Sequence, residues 1–157
     1  MATVEEPRAL AEVLRAELAK RRFAEANRQN SALAVLVLDI DHFKQINDQY
    51  GHQTGDQALA TMCNITRLYL RPTDLLARFG GDEFVLLLPD TSADAAAAIA
   101  NRILVQLRQV RIADLTNISA SFGVAVCDSA DSFQDAVKLA DQQMYLSKRN
   151  GRNQVVA

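Results

Sequence analysis

No apolar run in this chain approaches the roughly 20 residues of a membrane span. A basic excess is missing as well: 17 lysines and arginines stand against 19 acidic residues, a formal charge of −2. Without a basic field, nothing in the charge balance draws the chain to nucleic acid or anionic lipid. Cysteine occurs only at Cys63 and Cys127. They lie far apart, in no Cys-x-x-Cys or His-Cys spacing, which argues against a cysteine-based metal site and for two reduced core thiols in a cytoplasmic protein. Glu5 and Glu6 open the chain, unlike the basic-then-apolar start of a signal peptide. Repeats, linkers and low-complexity tails are missing too. At 157 residues, with 49% apolar and 23% charged side chains, the expectation is one globular domain with a sizeable core.

What is present alternates between helix and strand patterns. Pro7 to about Arg28 reads as a helix, Pro7 sitting where a first turn tolerates it. Leu10, Leu14 and Leu18, with Val13 beside them, predict one apolar face. Asn30-Ser31 punctuates. Leu33 to Leu38 is a continuous apolar run, typical of a strand buried on both faces. A short helix carries Phe43 and Ile46, and a longer one is expected from about Asp56 to Leu70, ahead of Pro72. Helices from Ala93 to about Val110 and from Phe133 to Arg149, and strands at Ile118–Val126 and Gln154–Val156, complete an α/β sandwich. The Ala95–Ala98 run belongs inside a helix.

Glycine is scarce, six in all, and two are adjacent. Gly80-Gly81 joins a short strand pattern, Asp74 to Arg78, to the apolar run Phe84–Leu88. Strand, glycine turn, strand is a β-hairpin, closed at its base by Pro89. Its tip carries Asp82 and Glu83 beside a backbone open to close approach, a place suited to a metal-bound nucleotide phosphate. Asp39-Ile40-Asp41 ends another apolar strand. Two carboxylate-tipped strand ends suggest one divalent-metal site, because Mg²⁺ takes hard oxygen ligands from one or two carboxylates plus substrate phosphates.

Gly80-Gly81-Asp82-Glu83-Phe84 resembles the signature of the GGDEF domain, the diguanylate cyclase family. The likeness continues through Leu38 to Asp48 (Leu-Asp-Ile-Asp-His-Phe-Lys-Gln-Ile-Asn-Asp) and Tyr50-Gly51-His52-Gln53-Thr54-Gly55-Asp56. It extends to Ser121–Ala125, Ala140-Asp141, Met144-Tyr145 and Lys148–Asn153. These motifs fall in family order from about Ala32 to the end. The resemblance implies a GGDEF domain over 1–157, with a divergent N-terminal helix at about 7–28. It also implies a central five-stranded sheet flanked by helices, akin to the palm of polymerases and adenylyl cyclases.

It further implies an enzyme condensing two GTP into cyclic di-GMP with release of pyrophosphate. Asp39, the carbonyl of Ile40 and Asp82 would hold Mg²⁺ or Mn²⁺, with Asp82, Glu83 and Lys44 as the catalytic set. Asn47 and Asp56, with His52 in the same turn, would read guanine: a carboxylate accepts from both N–H donors of its edge, where adenine offers a mismatch. On their own these two read as helix-end residues, and Gly55 ahead of the expected helix start makes Asp56 a cap as well. Lys148 and Arg152 would bind phosphate, although cations at a helix C-terminus are also favoured by its dipole. Gly123 in Ser-Phe-Gly would let another element pack closely.

Because one site holds one GTP and the product joins two, the resemblance implies a homodimer, at least transiently. Arg71-Pro72-Thr73-Asp74 resembles the family's inhibitory cyclic di-GMP site, with Arg78 and Arg102 in auxiliary positions. An arginine's planar fork suits guanine edges and phosphates. The stretch Thr3 to Leu10 departs from the Asp-x-Leu-Thr-Gly-Leu-x-Asn-Arg segment with which family members usually open. That departure favours an alternative reading: a weak or inactive module that binds cyclic di-GMP or GTP and signals through a protein partner. With no sensory domain in the chain, the expectation is a stand-alone domain or a fragment. Nucleic-acid and membrane partners are not expected, and a polymerase is disfavoured by the acidic balance and small size.

Overall fold

Leu33–Ile40 forms the central strand β1, with all eight residues buried. In the computed structural model, which describes residues 6–29, 31–127 and 132–157, β1 pairs antiparallel with two neighbours. These are β3 (Glu83–Pro89) and β6 (Ala120–Cys127). β2 (Leu75–Gly80) extends the sheet beyond β3, and β7 (Gln154–Val156) adds a parallel edge beside β6. The order is β2-β3-β1-β6-β7, the five-stranded sheet expected. Residues 3–5 of the divergent opening, Asn30, and the side chains of residues 6–11 (Pro7 and Leu10 among them) and of Cys127 lie outside the description.

Because side chains alternate along a strand, β1 sends Leu36, Leu38 and Ile40 to one face and Val35, Val37 and Asp39 to the other. The first face is covered by α2 (Phe43–Tyr50), α3 (His52–Leu68) and α4 (Ala93–Leu107). The second is covered by α1 (Glu6–Arg28) and α5 (Phe133–Arg149). Gly123 on β6 is what lets α5 settle: a Cβ there would stand 1.9 Å from the Ala140 carbonyl and 2.2 Å from the Met144 amide. Ser132 and Asp135 close the start of α5 as a reciprocal capping box.

Three elements differ from the sequence reading. α3 begins at His52, not Asp56, so Asp56 is no cap but a second-turn residue; the break from α2 is made by Gly51 at φ 90°. α4 ends at Leu107, and a small hairpin follows, β4 (Arg111–Ile112) with β5 (Leu115–Thr116). Two-residue strands are too short to carry a periodic signal. On α1 the packed residues are Ala19, Phe23 and Ala26, whereas Val13 and Leu14 are 58% and 60% exposed and Leu18 is 37% exposed. The leucine repeat therefore does not mark the face that meets the sheet.

Candidate metal and nucleotide site

Strand register brings the two acidic motifs together. Asp39 lies opposite Glu83 across β1 and β3, and opposite Ser121 across β1 and β6. Between β2 and β3, Gly81 and Asp82 form the turn, preceded by a register shift between Arg78 and Gly80. Asp39 points to the α5 face, and Lys148, in the last turn of α5, donates to its Oδ2 at 2.6 Å. The other oxygen, Oδ1, is buried and has no hydrogen-bond partner.

Burial pushes the Asp39 carboxyl up to about 6 from an ordinary 3.8, and the hydrogen bond and charge of Lys148 oppose the rise. The charges of Asp82 and Asp41 reinforce it. Glu83 is also raised, chiefly by burial, then by Asp141 and Asp82, with Lys148 again opposing. Lys148 offsets only part of this, so the buried acidic pair still disfavours its charged form.

A buried, unshared oxygen on Asp39 fits a hard divalent ion. Among the described residues no three His, Cys, Asp or Glu side chains form a ready-made cage. A divalent ion held by one or two carboxylates and completed by phosphate and water does not require such a cage. Ile40 closes β1 beside them, its side chain 2% exposed.

Asp41, paired with Asp39 in the motif, has a different task. Its carboxylate accepts from Ser119 Oγ at 2.6 Å, Ser121 Oγ at 2.5 Å and the Asn153 amide at 2.9 Å. It fastens the end of β1 to the start of β6 and to the turn after α5. That turn carries Arg152, exposed, at φ 63°, whose amide donates to the Ser147 carbonyl at 2.9 Å. Asp41 thereby anchors the loop of one expected phosphate ligand, while Lys148 meets Asp39 directly.

On the opposite face Asn47 lies on α2 with its Oδ1 buried and unpartnered. Gly55 of α3 packs against it so closely that a Cβ would fall 1.8 Å from that oxygen. Asp56 follows directly, exposed, with His52 one turn earlier on the same helix face. Lys44, also exposed, precedes Asn47 by three residues on α2. The Asn47 amide fills the space that a side chain at position 55 would take, and Asn47 and Asp56 each carry a carbonyl-type acceptor, the kind of group that N–H donors require.

Arg71 and Asp74 are bound to each other. Arg71 Nη2 donates to Asp74 Oδ1 at 2.8 Å, and the Arg71 amide reaches Oδ2 at 2.7 Å. The same guanidinium bonds the Pro89 carbonyl at 2.7 Å and Thr91 Oγ1 at 3.0 Å. Arg102 sits exposed on α4, sharing a surface cavity with Tyr69. Arg78 is not beside them: it sits near the opposite end of β2, against Phe84.

Sequence reasoning named Asp141 only as part of a motif, and missed Asp41, Ser119 and Asn153 as a unit. Asp141 had a legible signal, since it precedes Lys148 by seven residues, two helical turns on one face. The Asp41 cluster had none, because its partners lie 78 or more positions away.

The family model described as diguanylate cyclase, GGDEF domain matches residues 12–154. The diguanylate cyclase DosC of Escherichia coli K12 is 34% identical over 140 residues, covering 87% of this chain and 30% of that protein. The chain thus spans about a third of the length of this curated relative. Among solved structures, the GGDEF domain of DgcB from Caulobacter crescentus in complex with c-di-GMP superposes with a TM-score of 0.83 at 35% identity, covering 90% of this chain and 86% of that one. Diguanylate cyclase SiaD in complex with its activator SiaC, from Pseudomonas aeruginosa, gives 0.82 at 32% identity, covering 89% and 55%.

Proposed function

The chain belongs to the GGDEF domain family, and from that premise we propose that it is a diguanylate cyclase, condensing two GTP into cyclic di-GMP with release of two pyrophosphates. The observation that carries this reading is the Asp39 carboxylate: buried, with one oxygen unshared and the other on Lys148, facing Glu83 across the sheet.

In this reading Asp39, the Ile40 carbonyl and Asp82 hold Mg²⁺ or Mn²⁺, with Glu83 supporting. When bound, such an ion polarises the α-phosphate and eases ionisation of the attacking ribose 3′-hydroxyl. Lys44, Lys148 and Arg152 supply the cations that neutralise phosphate, so Lys148 trades Asp39 Oδ2 for a phosphate oxygen. Asn47 and Asp56, with His52 beside them, accept the guanine donors. Transfer of this kind depends on positioning and charge stabilisation more than on covalent chemistry.

One site holds one GTP, so two copies of the domain meet face to face, at least transiently. Cyclic di-GMP inhibits at a separate site built on Arg71 and Asp74, with Arg102 near. The enzyme works in the cytoplasm, where GTP is supplied, and a protein partner is compatible with it, since the similar cyclase SiaD is solved in complex with its activator SiaC. No helix among the described residues is long and apolar enough to cross a membrane. Incubating the protein with GTP and Mg²⁺ and resolving the products by chromatography tests the reading. Cyclic di-GMP and pyrophosphate at one to two support it; GTP recovered intact at micromolar protein defeats it.

A further inference from the structure

Gly80 and Gly81 carry the hairpin tip at φ 138° and 46°, and a Cβ built at either would meet nothing within 4 Å. The turn bearing Asp82 therefore stands clear of packed side chains, on the two residues whose backbone is least restricted. The ladder beneath it is already out of register between Arg78 and Gly80. Left to itself, such a turn would sample several shapes, and Asp82 would move with it.

Arg78 ties it down. Its Nε donates to the Gly81 carbonyl at 2.8 Å, and its Nη2 donates to the same oxygen. The guanidinium carbon lies 5.8 Å from the centre of the Phe84 ring, and Nη1 is 3.6 Å from Glu12 Oε1 on α1. The side chain is only 28% exposed and lines a cavity of about 280 Å³ with Leu59, Leu76 and Phe84. Every part of the group is used: one edge on the turn, one face on an aromatic ring, one nitrogen toward α1. A lysine has no second donor held in a plane and no flat face, so it would satisfy one of these contacts at a time.

We propose that Arg78 is a positioning residue, holding the Gly80-Gly81-Asp82 turn in the shape that presents Asp82 to Asp39, and that α1 adjusts this hold through Glu12. The claim about the turn stands on geometry; the claim that the turn matters for turnover rests on the cyclase reading above. It also takes Arg78 away from the inhibitory site to which its sequence position assigned it. A helix that shifts along β2 would draw Glu12 toward or away from the guanidinium and so loosen or tighten the catalytic turn.

Backbone ¹⁵N relaxation and steady-state kinetics of the full chain, in wild type, Arg78→Ala, Arg78→Lys and Glu12→Gln, test it. In Arg78→Ala the order parameters of Gly81 and Asp82 should fall from about 0.85 to below about 0.6. Its kcat should fall roughly tenfold or more while KM for GTP moves less than about threefold. Arg78→Lys should recover part of both, and Glu12→Gln should lower kcat about twofold. Cyclic di-GMP affinity by calorimetry should stay as in wild type. Unchanged order parameters in Arg78→Ala overturn the proposal, and so does a loss confined to cyclic di-GMP affinity, which would return Arg78 to the inhibitory site. If Arg78→Ala does not fold, the same comparison runs on Arg78→Lys. A looser turn in a protein whose wild type makes no cyclic di-GMP keeps the positioning role and retires the cyclase reading instead.

Discussion

Lys148 Nζ sits 2.6 Å from Asp39 Oδ2, on a carboxylate whose second oxygen is buried and alone. The lysine thus occupies half of the carboxylate that the metal would take, and it is the one partner opposing that group's rise. An ion and an ammonium compete there for the same charge. Lys148→Ala should therefore bind Mn²⁺ alone about two- to fivefold more tightly at pH 8, measured by electron paramagnetic resonance. The same variant should lose at least about tenfold in kcat/KM, because the cation is then missing from the phosphates. Metal affinity that falls with activity would mean that Lys148 supports the ion instead of standing in for it.

Asp39→Asn separates function from stability. In the folded state burial raises the Asp39 carboxyl to about 6 from 3.8, so its charged form is disfavoured by folding. The sign follows: a raised carboxylate costs no stability below its unfolded 3.8, stability is lost as pH climbs through the folded value near 6, and at pH 8 the full effect is present, at most ~3 kcal/mol. Asparagine removes that charge, while Lys148, 32% exposed, stays hydrated. Denaturant unfolding at pH 8 in chelator should show Asp39→Asn about 1–2 kcal/mol more stable than wild type, with no turnover and no stabilisation by Mg²⁺. A less stable variant would show that the ion pair outweighs the burial.

Apolar runs and turn residues, read locally, reached the strands, the hairpin and the meeting of Asp39 with the acidic tip, whereas the five-stranded sheet came from the family resemblance. The start of α3 was misplaced because Gly55 looks like a break, yet it lies inside the helix, where Asn47 leaves no room for a Cβ. The leucine repeat of α1 was misread because packing chose the smaller Ala19 and Ala26, with Phe23 between them. Arg78 could be placed by family position but not by contact, since the ladder shifts register directly after it.

Gly55 supplies a test of the base recess that does not touch a polar group. Gly55→Ala puts a methyl where the Asn47 oxygen lies, 1.8 Å away, so the amide must swing out. It should reproduce Asn47→Ala: weaker GTP binding, and a blunted preference over ATP by ~1–3 kcal/mol, the usual loss for a base contact. Asp56→Ala should act in the same direction. Nucleotide competition in all three variants decides it, and undiminished discrimination would move guanine elsewhere.

Turnover should depend on protein concentration. Each copy contributes one GTP, so the rate per subunit should rise until dimers saturate. Activity measured beside light scattering across a dilution series checks this; constant specific activity where only monomer is present would contradict the two-copy mechanism.

Arg71 has two tasks that substitution will mix unless they are measured apart. Its guanidinium closes the turn onto Asp74, whose side chain is fully buried, and onto Pro89 and Thr91. Pro89 and Glu83 end the same strand, so six residue steps at ~3.3 Å put this cluster about 20 Å from the acidic tip. A ligand there cannot touch bound GTP; it must act through the hairpin or by holding two domains apart. Arg71→Ala should weaken cyclic di-GMP binding at least tenfold and relieve inhibition, with KM for GTP little changed. It should also lower stability by ~1–3 kcal/mol, since Asp74 loses its charged partner. Thr91→Val removes one of the same fastenings but no charge, and controls for that loss. If Thr91→Val weakens cyclic di-GMP as much as Arg71→Ala, the effect is one of fold. If Arg71→Ala binds like wild type, Arg71 and Asp74 are only a clasp.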